Sequence, residues 1–370
     1  MSVPGRGDRF IGLMSGTSQD AIDAVLAQFP PNAPPRILAT HREALSDRLR
    51  RRLDALQRPG GGDLDETLRL HHELGERFAQ SALDLLRRQR IGARDVRAIG
   101  SHGQTVRHDP LGPAPHSLQI GNAALIAART GIPTVSDFRS GDIAAGGQGA
   151  PLAPAFHRAV FAAPGVRRAI LNLGGMANVT VLGSPTRGWD TGPGNVLLDA
   201  WAQRHLHQPY DHSGQLARSG TVDSTLLETL LAHPFVTRPA PKSTGREDFN
   251  LLWLDQVLAG FPDRSIADVQ ATLSEFTAFC VQQALAGSTT VDELLLCGGG
   301  VHNTDLVARI AQRLPGVTVD TTLRGGIDPQ WVEALAFAWL AKQRIEEQAL
   351  DLRTITGSAR PVVLGCVYLP

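Results

Sequence analysis

"GLMSGTSQDAIDAVL" occupies residues 12–26, and "LNLGGMANVTVL" occupies residues 171–182. Each is an apolar run, a turn of small residues and a second apolar run, the pattern of two antiparallel strands. The first pair is followed by "RILATHREAL" (36–45) and the second by "GWDTG" (188–192), each a third extended piece. A helix comes next in both halves. In the first, Asp63 with Glu66 makes a capping-box start, and Leu70, Leu74, Phe78, Ala82 and Leu86 recur every four residues behind it. In the second, Leu197, Leu198 and Trp201 mark the apolar side. One order of elements is used twice, so the chain reads as α/β with two like domains.

Other pieces fit that frame. "VRAIGSHGQ" (96–104) and "SLQIGN" (117–122) read as short strands, and "PTVSDFRSGDIAAGGQGAPLAP" (133–154) as one long glycine-rich loop. "ELLLCGGG" (293–300) is a strand closing in three glycines, with the helix of residues 301–314 behind it capped by Asn303 or Thr304. Asp328 and Pro329 open a helix predicted through residues 331–350, and "PVVLGCVYLP" (361–370) is a last strand.

With 370 residues the chain exceeds the usual size of one core. Hydrophobic residues make up 42% and charged residues 19%, with a formal net charge of zero, so no basic footprint recommends a nucleic acid or an anionic membrane. Cys280, Cys297 and Cys366 lack the spacing of a zinc site or a disulfide framework. Neither a signal-peptide core nor a membrane-spanning run is present, so a cytoplasmic location and a small-molecule partner are expected.

Three glycine turns carry the chemistry. In the first, backbone N–H groups and the hydroxyls of Ser15, Thr17 and Ser18 could cradle phosphate, with Asp20 and Asp23 holding hydrated magnesium; an ordinary tight hairpin explains the same residues. Gly174, Gly175 and Asn178 repeat the design, and Gly298, Gly299 and Gly300 could lie flat against a purine. No GKS or GKT follows the first turn, and GxGxxG is absent. His102, Gln104, Thr105, Arg107 and His108 could hydrogen-bond several hydroxyls, although His102 and His157 also fit as satisfied structural groups. His71 and His72 read as surface. Arg139 suits a carboxylate clamp or an ion pair with Asp137 or Asp142. Lys242 suits a phosphate or sugar, or a solvated loop. Glu333, in the first turn of its helix, is stabilised there by the helix dipole whatever its function.

These stretches together resemble the anhydro-N-acetylmuramic acid kinases, within the superfamily of acetate and sugar kinases, Hsp70 and actin. The motifs are "GLMSGTSQDAIDAVL", "AIGSHGQTVRHDP" (98–110), "LQIGN" (118–122), "DFRSGDIAAGGQGAPLAPAFH" (137–157), "LNLGGMANVTVL", "WDTGPGNVLLDAW" (189–201), "PKSTGREDFN" (241–250), "LLLCGGGVHN" (294–303) and "EALAFAWLA" (333–341), spread over nearly the whole chain. The resemblance implies two ribonuclease-H-like domains flanking an active-site cleft. The first would be residues 1–136 plus about 358–370, and the second residues 137–357. It implies a homodimer that uses ATP, magnesium and water to open 1,6-anhydro-N-acetylmuramic acid and phosphorylate O6 in cell-wall recycling.

By the same resemblance Asp190 is the base, Glu333 assists at the sugar, and Trp189 screens the site from bulk water. Nucleotide and metal fall to Gly16, Thr17, Ser18, Gln19, Asp20, Ala21, Ile22 and Asp23, with Asp20 the metal ligand, and to Gly174, Gly175, Asn178, Gly192, Gly298, Gly299, Gly300 and Asn303. His102, Gln104, Thr105, Arg139 and Lys242 face the sugar. Gln19 and Ala21 stand where the family commonly has Leu and Gly, which predicts altered nucleotide affinity rather than lost activity. A plain sugar kinase, with Asp190 deprotonating a free hydroxyl, and a nucleotide-driven assembly protein of the actin type are the alternatives. The sugar product separates the first, and substrate-independent ATP hydrolysis the second.

Overall fold

The structure is a computed structural model that describes residues 8–16, 19–31, 33–58, 60–240, 242–286 and 291–370. It divides into two compact units: Met1–Val160 with Trp331–Pro370, and Phe161–Gln330.

In the first unit β1 (Arg9–Ser15), β2 (Ala21–Gln28) and β3 (Arg36–Ala44) form the expected antiparallel meander, with Leu13 opposite Ala24 and Val25 opposite Thr40. β4 (Ala98–Ser101) runs parallel to β1. β5 (Gln104–Asp109) and β6 (His116–Ile120) make a separate hairpin, and β7 (Thr134–Ser136) joins β4 in parallel. In the second unit β8 (Arg168–Leu173), β9 (Met176–Leu182) and β10 (Arg187–Pro193) repeat the meander. β11 (Glu293–Cys297) lies parallel to β8, and β12 (Thr318–Thr321) parallel to β11. The chain ends in β13 (Cys366–Tyr368), antiparallel on the outer side of β7.

The sheet orders are β3-β2-β1-β4-β7, extended by β13, and β10-β9-β8-β11-β12. Both place the third, second, first, fourth and fifth strands side by side, with only the second antiparallel to its neighbours. This is the ribonuclease-H-like order, present twice as the actin-like ATPase fold requires.

Both faces of the first sheet are covered, which is why β1 is apolar along most of its length. On one face Ile11, Leu13, Ile22, Ala24 and Leu26 pack with Leu70, Leu74, Phe78, Ala82 and Leu86 of the helix Leu64–Gln89, all five of the predicted positions being buried. On the other lies the helix Val332–Ile345. Its backbone comes so close that a Cβ on Gly12 would stand 1.8 Å from the carbonyl oxygen of Ala334, and one on Gly100 2.0 Å from that of Phe337. Gly12 and Gly100 are register partners, so together they form one slot for the helix.

Several expectations change. The domain borders fall after Val160 and Gln330 rather than after residues 136 and 357. The reason is a set of bonds between residues 137–160 and the C-terminal segment: Gln148 N–H donates to Thr356 O (2.9 Å), Thr356 Oγ1 to Asp142 Oδ1 (2.8 Å), and Ala359 N–H to Ala145 O (2.8 Å). The supposed long loop contains β7 and the helix Ser140–Ala144. Asp63 caps its helix through the N–H of Asp65, while Glu66 pairs instead with Arg52 at 2.6 Å. His71 is half-buried, its Nδ1 accepting the N–H of Gly121 at 3.2 Å. The last long helix stops at Ile345.

Candidate active site

In the first unit the β1–β2 turn is held from within. Gly16 O accepts the N–H of Gln19 (3.1 Å) and Nε2 of Gln104 (3.3 Å), and Ser15 Oγ donates to Gln104 Oε1 (2.7 Å). Thr17 and Ser18 lie outside the described residues. Asp20 is exposed at the edge of the turn with Arg50 at 3.7 Å, and Asp23 on β2 has Arg42 at 3.7 Å. The side chains of Ala21 and Ile22 are buried in the core, so only their backbone could meet a ligand.

Arg139 lies at the start of the helix Ser140–Ala144, with Nη1 donating to Gly149 O at 2.8 Å and Nη2 lying 2.8 Å from Nε2 of His102. The other nitrogen of His102, Nδ1, is 2.9 Å from Gly103 O and must donate to it. Burial, with Arg139 beside it, holds the His102 pKa down to about 3, so the ring is neutral and Nε2 accepts from the guanidinium. The same burial brings Arg139 down to about 10, against the support of Glu333 and Asp142. Glu333 is half-buried, and desolvation together with the charge of Asp23 raises its carboxyl above the usual range, opposed by Arg139. Three groups thus form a charge cluster in this unit: Asp23, Glu333 and Arg139.

In the second unit Asp190 stands on β10 opposite Asn178 of β9, which stands opposite Asn172 of β8. Directly opposed residues share a face, so the three side chains make one polar row across the sheet. Trp189, one residue earlier, belongs to the other face and is buried in the core, so it is not the screen over the site that was expected. The segment after residue 241 runs beside β10. Asp190 N–H donates to Lys242 O (3.0 Å), and Thr244 N–H donates to Asp190 Oδ2 (3.0 Å). Burial pushes the Asp190 carboxyl up to about 6, with the Thr244 N–H lowering it and Glu247 raising it further.

The glycine turns of this unit interlock. The N–H groups of Gly194 and Val196 donate to Gly175 O and that of Asn195 to Gly174 O, so the start of the helix Val196–Leu206 is tied to the β8–β9 turn. A Cβ on Gly194 would stand 2.3 Å from Gly174 O, and one on Gly300 2.6 Å from Cβ of Leu173. Among the described residues, and leaving aside the adjoining residues of the chain, a Cβ on Gly175 or Gly299 would meet no heavy atom within 4 Å, so a ligand can approach the backbone on that side. Gly298 has φ +81°, and a Cβ on it would lie 2.3 Å from Oδ1 of Asn172. Gly298→Ala should therefore cost about 1–3 kcal/mol, seen as a lower thermal midpoint; an unchanged midpoint would mean that Asn172 swings away freely.

A family model described as anhydro-N-acetylmuramic acid kinase matches residues 8–370. The chain belongs to this family. Proteins named anhydro-N-acetylmuramic acid kinase include one from Shewanella sp. (strain MR-4), 46% identical over 359 residues, covering 96% of this chain and 97% of that protein. Another, from Shewanella amazonensis (strain ATCC BAA-1098 / SB2B), is 46% identical over 362 residues, covering 97% and 98%. Among solved structures, a ROK family glucokinase from Streptomyces griseus in complex with glucose and AMPPNP aligns over 90% of this chain and 99% of its own at 16% identity, with a TM-score of 0.42.

Several residues assigned from resemblance to the anhydro-N-acetylmuramic acid kinases have other partners. Lys242 Nζ donates to Phe235 O (3.0 Å) and Val236 O (3.1 Å) and lies 4.4 Å from the centre of the Phe235 ring, so its charge serves the short helix Pro234–Thr237. Arg107, which by residue type alone could hydrogen-bond hydroxyls, is likewise spent on carbonyls, with Nη1 donating to Leu56 O at 2.5 Å. Asn303 caps the helix Thr304–Arg313 by accepting the N–H of Leu306 at 3.0 Å. Gly192 belongs to β10, where φ +147° at the bulge lets it pass Cys280. His102 and Gln104 are buried and bond Arg139 and the turn. The residue reading missed Thr244 and Asn172. Thr244 acts through its backbone N–H, which leaves no residue-type signal.

Proposed function

We propose that this chain catalyses ATP-dependent opening of 1,6-anhydro-N-acetylmuramic acid with phosphorylation of O6, giving N-acetylmuramic acid 6-phosphate and ADP. The observation that carries the reading is Asp190: a carboxylate with a pKa near 6, oriented through Oδ2 by the N–H of Thr244. Among the described residues Oδ1 has no hydrogen-bond partner, which leaves it for a water. A general base works best when its pKa is close to the working pH, so this setting suits proton removal near neutrality.

Asp190 takes a proton from water as the water oxygen attacks C1 of the sugar. The C1–O6 bond breaks, O6 attacks the γ-phosphorus of ATP, and the bond from that phosphorus to the β–γ bridging oxygen breaks as ADP leaves. The water oxygen ends on C1 and the phosphoryl group on O6, so the atoms balance. Glu333, held above its usual pKa, assists at the sugar, and Arg139, fixed by neutral His102, contributes positive charge there; Thr105 contacts the sugar. The backbone of Gly16–Ile22, and the open sides of Gly175 and Gly299, serve the nucleotide.

Magnesium suits the first turn. Mg²⁺ keeps most of its waters and takes one or two carboxylates beside the phosphates, and Asp20, with its side chain 55% exposed, and Asp23, the third residue of β2, are of that kind. The ion would supply neutralisation of phosphate charge. The reading extends to a cytoplasmic homodimer with a small-molecule substrate. No helix among the described residues is long and apolar enough to cross a membrane.

Mass spectrometry of the sugar formed with ATP and magnesium in ¹⁸O-water tests the reaction. Product carrying both the phosphoryl group and the heavy oxygen at C1 is expected. A phosphorylated product without the label would overturn hydrolytic opening in favour of transfer to a free hydroxyl.

A further inference from the structure

Gln19 is an unusual choice for its position. It has φ +58°, a left-handed conformation that favours glycine or asparagine, and its side chain is buried with Oε1 lacking a hydrogen-bond partner among the described residues. Both features cost stability, so the residue is not explained by folding alone.

What Gln19 does make is a link. Its Nε2 donates to Oε1 of Gln57 (2.8 Å), the last residue of the helix Asp47–Gln57, and Nε2 of Gln57 donates to the carbonyl of Thr105 on β5 (2.7 Å). The contact is fixed from both sides, because Arg107 of β5 donates back to Leu56 O, and Arg50 of the same helix approaches Asp20 of the turn. β5 carries a register shift between Thr105 and Arg107, where its pairing with β6 is interrupted. Thr105 therefore takes its position partly from Gln57. Its hydroxyl accepts from Nε2 of Gln119 at 3.2 Å.

We propose that Gln57 is a positioning residue that couples the β1–β2 turn to β5 through Gln19 and the carbonyl of Thr105, so that sugar bound at β5 tightens nucleotide binding at the turn. The inference rests on the reading above, with ATP phosphates at the turn and the sugar at Thr105. Gln57 need touch neither ligand. By linkage the effect is reciprocal: nucleotide must tighten the sugar by the same factor.

Titration calorimetry on the full chain tests it, with the ATP analogue AMPPNP and magnesium, with 1,6-anhydro-N-acetylmuramic acid, and with each in the presence of the other. In the unaltered protein the sugar is expected to tighten AMPPNP by about tenfold or more. In Gln57→Leu each ligand alone should bind within about threefold of the parent, while the tightening drops below about threefold. Gln19→Leu changes the turn itself and is read only by the ratio of AMPPNP affinities with and without sugar, which should fall below about threefold as well, and the double variant should lose no more of that ratio than either single one, as members of one chain of contacts are not additive. Gln57→Glu keeps the acceptor for Gln19 but loses the donor to Thr105, and should show the same loss if Gln57→Leu does not fold. Tightening that survives in these variants, or is missing from the parent although both ligands bind, would overturn the coupling. A parent that binds AMPPNP but not the sugar would strike instead at the functional reading on which the coupling rests.

Discussion

Asp190→Asn is expected to lower kcat by about 10²–10⁴-fold while leaving the second unit folded and nucleotide binding intact. The amide is nearly the same shape and can still accept the N–H of Thr244 at Oδ1 or its equivalent, so the segment beside β10 should hold. What it cannot do is take a proton. The same assignment fixes a pH profile. A base must be ionised, and burial places the Asp190 pKa near 6, so kcat/KM should be flat above that value and fall tenfold per unit below it. Measured activity that is level down to pH 4.5, or an Asp190→Asn variant within tenfold of the parent, would remove Asp190 from the role of base. Thr244 and Glu247 both bear on this profile, the N–H of Thr244 lowering the Asp190 pKa and the charge of Glu247 raising it.

The doubled order of strands was legible because each meander is marked locally, by alternating apolar runs and small turn residues at 12–26 and 171–182. The domain borders were not, since they depend on residues 137–160 bonding to residues 350–362, partners two hundred positions away. In the site the pattern is similar. Asp190 could be placed from its motif, and its shifted pKa comes from burial that no local pattern states. Lys242 suits a phosphate or sugar by residue type, yet its ammonium is occupied by two carbonyls and a ring. Trp189 and Asp190 are adjacent in sequence, which in a strand puts them on opposite faces, so the indole cannot screen the carboxylate. Gln57 gave no sign at all, because its function depends on what two of its hydrogen bonds join.

Gly100→Ala is the other change with a large expected effect, and here the loss should be of the fold itself. The added methyl would stand 2.0 Å from the carbonyl oxygen of Phe337 and 3.0 Å from Cβ of Ala341. A helix backbone cannot give way as a flexible side chain does, so the whole of Val332–Ile345 must lift from the sheet. Gly12 on the neighbouring strand contacts Ala334 of the same helix even more closely, and lifting at one point opens the slot at both. Overpacking of this kind costs about 3 kcal/mol, and the apolar contacts of Leu335, Phe337 and Leu340 would weaken with it. Glu333 rides on the first turn of that helix, so residual folded protein should also lose turnover as the carboxylate is displaced from Asp23 and Arg139. Urea unfolding read beside activity measures both effects, with Gly260→Ala as the control, since its nearest neighbour to an added Cβ is 3.7 Å away. Equal unfolding midpoints for the two variants would show that the helix has room to move, and with it that the close approach at Gly12 and Gly100 does not hold Glu333 in place.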